Sequence, residues 1–247
     1  ADEAQLTIRA ALAAGFTEIK LTGELSKTGI GGNWGTFINN KKITKCDLTG
    51  VTDWGRTPTL PELAFSNCTA LQEVTLPDDM KVIGTGAFFG CAALTTVNLS
   101  QVTWINLNAF WGCTSLETLA LDNVTAIGQE AFYGCTGLET LKIPKCTQFG
   151  NYIVSGCKAL TRIEATAAGD FVDISDGRSS IERTAVFHNR DSHYGDSAFN
   201  PAKCDLVLNA DKKQDGNATP KVFSDNEWLV MPNGQLMRWN SITFAQQ

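Results

Sequence analysis

The chain has 247 residues, 43% hydrophobic and 19% charged, with a formal net charge of −6. That composition suits a globular or solenoidal unit large enough to bury a substantial core. It offers no basic stripe for nucleic acid or an anionic membrane, and no apolar run near the ~18–20 residues that cross a bilayer.

The sequence opens Ala1-Asp2-Glu3-Ala4, without the charged and apolar regions of a secretory signal, so a signal is either absent or already removed. Residues 3–14 predict a helix: Leu6, Arg9, Ala10 and Ala13 have helical spacing, and Gly15 is a suitable stop. Residues 18–22 alternate as a strand, and residues 29–33, rich in glycine, read as a loop. Residues 1–35 are thus expected to form a cap of helix plus strand over the first turn of the main body.

The main body is a repeat. Cys68, Cys91, Cys113, Cys135 and Cys157 are separated by 23, 22, 22 and 22 residues. Three positions before them stand Phe65, Phe88, Phe110, Phe132 and Val154, each preceded by alanine or isoleucine. Immediately before the cysteine come Asn67, Gly90, Gly112, Gly134 and Gly156. Three positions after it is always leucine: Leu71, Leu94, Leu116, Leu138 and Leu160. Apolar residues also recur six and eight positions after the cysteine (Leu119 and Leu121 in one copy) and eight before it (Ile83, Ile105, Ile127, Phe149). Leu116-x-x-Leu119-x-Leu121-x-x-Val124 is a leucine-rich-repeat pattern. Leu119 and Leu121 alternate at period two, so they share one face of a short strand. Residues 109–113 form the opposite wall, as a short helix or turn. One coil cannot bury its apolar edge alone; coils stacked ~4.7–4.9 Å apart line their strands into a parallel sheet and close a continuous core.

The eight cysteines are explained by that geometry. Each evenly spaced cysteine fills an inward slot, as a small apolar side chain would; Cys46 and Cys146 fall in strand columns otherwise held by hydrophobes. Buried free thiols are the favoured reading, although neighbouring coils are close enough for disulfides to remain open. No Cys-x-x-Cys pair argues for zinc. The repeat can be traced back through Phe37, Asn40, Ile43, Cys46, Leu48 and Val51, with about six extra residues inserted within 52–61 as a rim loop.

Ala87-Phe88-Phe89-Gly90-Cys91-Ala92-Ala93-Leu94, Ala131-Phe132-Tyr133-Gly134-Cys135-Thr136-Gly137-Leu138 and the strand-ending Leu76-Pro77 and Ile143-Pro144 resemble the BspA-like leucine-rich-repeat family, over about residues 36–166. The resemblance implies a secreted or surface-anchored bacterial protein associated with adhesion to host matrix proteins or cells, and it implies no catalytic residues.

Beyond residue 166 the period fails. Residues 171–174 read as a strand, Cys204, Leu206 and Leu208 as a degenerate coil, and residues 227–231 and 237–244 as two strands around Pro232-Asn233-Gly234. Residues 167–247 are expected to form an atypical β-rich C-terminal cap, with Trp228 and Trp239 over the last coil. His188 and His193 lie in a polar stretch whose five-residue separation matches no helical face, so a solvated loop is preferred to a metal or acid–base site. Residues 211–217 lack the oxygen pattern of a calcium loop, and no hydrolase, phosphate-loop or metalloprotease motif occurs.

The expected architecture is therefore an α/β-type, right-handed leucine-rich-repeat solenoid with a parallel sheet face, capped at both ends. Two surfaces are candidates for binding. The first is the outward side of the strand ladder: Lys45, Asp47, Glu73, Thr75, Thr96, Asn98, Thr118, Thr140, Lys142, Arg162 and Glu164. Its rival reading is a solvated sheet rich in threonine for β propensity. The second is the aromatic column Phe89, Trp111 and Tyr133, two positions before the cysteine, which either docks a sugar or stiffens the stack. The expected function is non-catalytic binding of a host or matrix protein at a cell surface, without cofactor or metal. A glycan-binding module and a structural spacer are the alternatives.

Overall fold

The computed structural model describes residues 3–24, 35–167, 172–173, 187, 199–209, 227–230 and 236–245. The expectations for residues 188–193 and 211–217 and for the side chain of Trp228 lie outside that set.

The chain winds as a parallel β-solenoid of about five turns. Among the described residues six coils contribute a rung to each of two sheets, and three more contribute to the front face. The front face is formed by Glu18–Glu24, Lys45–Thr52, Glu73–Thr75 and Thr96–Val97, then by Thr118–Ala120, Thr140–Lys142, Arg162–Ala165, Asp205–Asn209 and Ser241–Ala245. The second sheet runs Thr59–Leu60, Val82–Ile83, Trp104–Ile105, Ala126–Ile127, Gln148–Phe149 and Val172–Asp173. All these pairs are parallel, and apart from a shift between Lys20 and Thr22 in the first pair they keep the register the repeat dictates: Cys46 faces Val74, Leu141 faces Leu119 and Ile163, and Ile105 faces Ile83 and Ile127.

The third side of each coil corrects the expected α/β character. It is made of turns, and the only α-helix among the described residues is Glu3–Ala13, whose Ile8 and Leu12 are buried in the common core. A helix would satisfy its N–H groups within one coil. Here alternate ones reach the next coil: Phe88 N–H donates to Ala109 O (2.8 Å) and Gly90 N–H to Trp111 O (2.7 Å), and Phe110 and Gly112 repeat the pattern, while Phe89 and Cys91 between them donate within the coil to Gly86 O and Phe88 O. Two left-handed residues per coil aim those groups along the stack. One is the position before the cysteine, where Gly90, Gly112, Gly134 and Gly156 have φ of 69–76° and Asn67 has 57°. The other lies four residues earlier and holds Leu63, Gly86, Asn108, Glu130 and Tyr152, all at φ 54–60°. Only glycine adopts that conformation without strain, so coil-to-coil bonding, not residue preference, sets this second column.

The interior repeats as strictly. Phe37, Phe65, Phe88, Phe110 and Phe132 are all fully buried and stack with centroids 5.1–5.7 Å apart. Every cysteine is buried and unbridged. The thiols of Cys91, Cys113, Cys135 and Cys157 each donate to a phenylalanine carbonyl of the preceding coil at 3.0–3.1 Å. Cys68 does the same to Phe37 O at 2.8 Å. Valine would fill that volume but leave the carbonyl with one partner fewer.

Other differences from the sequence expectations have local causes. Thr59–Leu60, within the stretch expected as a loop, is the first rung of the second sheet, because Leu60 completes the inward column of Ile83 and Ile105. The rest of that insertion is pinned by Trp54, whose buried indole N–H donates to Val51 O at 2.9 Å. The strand expected over 237–244 is divided. Leu236–Arg238 pairs antiparallel with Glu227–Val230, whereas Ser241–Ala245 becomes the last parallel rung of the front face. Trp239 at the break is buried against Phe187 and Phe199.

The front face itself has one seam. No ladder joins Thr96–Val97 to Thr118–Ala120. Further along the stack, Ile143 N–H donates to the main-chain carbonyl of Glu164 (2.9 Å). At the equivalent place Leu76 N–H goes instead to the Asn98 side chain (2.6 Å), whose amide donates back to Leu76 O (2.9 Å). The side chain has replaced its own backbone in the ladder, and the strand ends at Val97.

Candidate functional surfaces

The front ladder brings the predicted face residues other than Asn98 into two outward rows. One runs Glu18, Lys45, Glu73 and Thr96, then Thr118, Thr140, Arg162, Asp205 and Ser241. The other holds Lys20, Asp47 and Thr75, then Ala120, Lys142, Glu164, Val207 and Thr243. Glu18, Lys20 and the rungs from Asp205 onward extend the face beyond the residues expected from the sequence. Their signal is the same alternation, diluted by the lost period.

The charges on this face largely satisfy one another. Lys45 pairs with Glu73 at 3.5 Å. Lys142 meets Glu164 at 3.7 Å, and Arg162 meets the same carboxylate at 2.7 Å. Asp47 accepts from Lys20 at 2.7 Å and from Thr49, and these bonds hold its carboxyl down to about 2. Asn98 is engaged with Leu76, and the Thr96 hydroxyl lies 3.5 Å from that of Thr95. Thr75, Thr118 and Thr140 complete an uncharged centre between two charged ends. Exposed pairs of this kind contribute ~0–1 kcal/mol each and exchange readily with other partners.

The aromatic column is a stack. Phe89 and Trp111 have centroids 4.5 Å apart at 6° between planes, and Trp111 and Tyr133 are 5.2 Å apart at 3°. Tyr133 is 5% exposed, and Ser66 and Ser155 at either end of the column are buried. The rings lie face to face, so they present edges rather than open faces to solvent.

A third surface was not expected from the sequence. In the second sheet the row opposite the inward column is Thr59, Val82, Trp104, Ala126 and Gln148, of which Ala126 is covered by its neighbours. Trp104 is 45% and Leu107 41% exposed; with Phe16 they are the exposed large hydrophobics among the described residues. The available signal was the position of Trp104 next to the inward Ile105, which fixes it as outward once the Ile83–Ile105–Ile127 column is read as a strand.

The thiols offer no reactive group. Burial pushes Cys68, Cys135 and Cys204 up to about 12 and the others well above their ordinary range. Among the described residues no cluster of three or more histidine, cysteine or acidic side chains could hold a metal, and no helix is long and apolar enough to cross a membrane.

Over residues 36–161 the sequence matches the model of the BspA type Leucine rich repeat region, in six copies. Among solved structures, a leucine rich cell surface protein from Faecalibacterium prausnitzii is similar over 91% of this chain and 55% of its own, at 23% identity and TM-score 0.57. A leucine-rich repeat protein from Bacteroides ovatus is similar over 61% of this chain and 37% of its own, at 25% identity and TM-score 0.49. The T. pallidum leucine rich repeat protein is similar over 60% and 64%, at 25% identity and TM-score 0.39. The chain thus spans between 37% and 64% of the length of these structures. No curated protein is a significant match.

Proposed function

The chain belongs to the BspA type leucine-rich-repeat family, and from that premise we propose that it is a non-catalytic module that binds a protein partner through its repeat surface, outside a bacterial cell. Residues 36–166 supply the binding coils, and residues 1–35 and 167–247 close their ends. The observation that carries the reading is the exposure of Trp104, on the outer side of the second sheet, and of Leu107 three residues further on. Tryptophan is among the residue types most enriched at interface hot spots, and an apolar pair left in water on a well-packed solenoid has its use in a partner. The front face supports the same role at longer range: its loosely held charges can re-pair across an interface, which sets orientation more than affinity. The self-stacked aromatic column gives a glycan-binding reading less support. The extracellular placement rests on the family and on the similar Faecalibacterium prausnitzii cell surface protein. It is compatible with eight unpaired cysteines because all are buried.

The test is capture from an extracellular-matrix and host-surface protein array, repeated with the double variant Trp104→Ala, Leu107→Ala. The expected result is a partner whose affinity falls at least tenfold in the variant at unchanged melting temperature. A partner retained by that variant and lost by Thr118→Arg, Thr140→Arg would move the site to the front face. Binding to glycans alone, with no protein bound, would overturn the reading.

A further inference from the structure

We infer that the cavity between the N-terminal helix and the first coil binds a small ligand bearing an oxyanion: a carboxylate, phosphate or sulfate group on a molecule of monosaccharide size. The cavity, about 490 Å³, is lined by Arg9 from the helix and by Thr36, Asn39, Asn40, Lys41 and Lys42 from the turn that opens the first coil. Among the described residues no carboxylate lines it, and Arg9, Lys41 and Lys42 make no ion pair. The chain as a whole has a net charge of −6. The front-face cations Lys20, Lys45, Lys142 and Arg162 all have a carboxylate within 4 Å. Three like charges lining one depression favour an anion between them.

The turn that carries the lysines is built to hold its shape. Asn40 Oδ1 accepts from the backbone N–H of both Lys42 and Ile43 at 2.9 Å. Asn39, in the left-handed conformation at φ 61°, donates its N–H to Ser66 O at 2.8 Å, and its side chain accepts from Asn67 Nδ2 at 3.1 Å. Lys41 and Lys42 therefore stand on a backbone tied to the next coil, while Arg9 supplies a planar fork suited to two oxygens of one anion. The depression is open to solvent and has room for more than a lone ion. The negative charge of the chain as a whole disfavours an anionic membrane or a long polyanion.

The experiment is calorimetric titration of the whole chain with glucuronate, with glucose 6-phosphate and with inorganic phosphate, against glucose and matched sodium chloride. Expected is millimolar or tighter binding of the two charged sugars, weaker binding of inorganic phosphate and none of glucose. Affinity should fall as salt rises, and should drop at least tenfold in Arg9→Ala, Lys41→Ala, Lys42→Ala. Those three residues are exposed, so the variant should melt within a degree or two of the parent, and Arg9→Lys should keep part of the affinity. Trp104→Ala, Leu107→Ala should bind the charged sugars unchanged, which separates this site from the protein-binding surface. Equal binding of glucose, or charged-sugar binding that survives the triple alanine variant, would overturn the inference. So would charged-sugar binding no tighter than chloride, or sedimentation with phosphatidylglycerol vesicles in its place.

Discussion

The inward columns of the turn wall and the outward rows of the front sheet are products of one spacing, yet they respond to their surroundings in opposite ways. Inside, phenylalanine stacks on phenylalanine and each thiol of the regular column reaches the preceding coil, with no water to take over either interaction. Outside, Lys45–Glu73 and Lys142–Glu164 are spaced by the same coils, but solvent competes for every charge. Periodicity fixes position in both regions; burial decides whether position becomes energy.

Alkali should break that contrast most severely. The folded thiols are held up to about 12 or beyond by burial, whereas in the unfolded chain they ionise near 8.5. Their folded pKa is raised and the disfavoured form is the ionised one. Stability is therefore intact below about pH 8.5 and falls as pH climbs toward the folded values. Each thiol removes about 1.4 kcal/mol per pH unit, and eight together roughly 10 kcal/mol, against a typical fold of ~5–15 kcal/mol. Circular dichroism should show cooperative loss of β signal between about pH 9 and 10.5; a signal unchanged at pH 11 would place the thiols in water. Next in size, Phe110→Ala should lower stability by ~3–5 kcal/mol in denaturant melts, and a loss below about 1 kcal/mol would mean the inner column is loosely packed. Asn98→Ala removes two bonds to Leu76 and should destabilise by ~1–2 kcal/mol; a neutral result would show that the backbone takes over the ladder. Smallest of all, Lys142→Ala should change stability by less than ~0.5 kcal/mol at moderate salt. A larger effect would mean that outward pairs are held as firmly as inward ones.

The solenoid is legible in the sequence because its columns are chemical. Cysteine, leucine and phenylalanine recur where the interior demands one size, and glycine recurs where φ is positive. The second left-handed column is not legible, because Leu63, Gly86, Asn108, Glu130 and Tyr152 share no property except their backbone. The turn wall is open to a helical reading for the same reason: what excludes a helix is where the N–H groups point. The engagement of Asn98 with Leu76 is not legible either, because it depends on a side chain displacing its own carbonyl. Trp104 escapes notice because the second sheet's two-residue rungs are too short for their alternation to register as strands.

The unbridged sulfurs set an order of events for any copy of this chain that matures in an oxidising compartment. An oxidant attacks thiolates, and those exist in quantity only while a coil is open. Closure of each coil must therefore outrun chemistry, one turn at a time. A molecule that lingers half-wound would be locked there by a wrong bond between neighbouring turns.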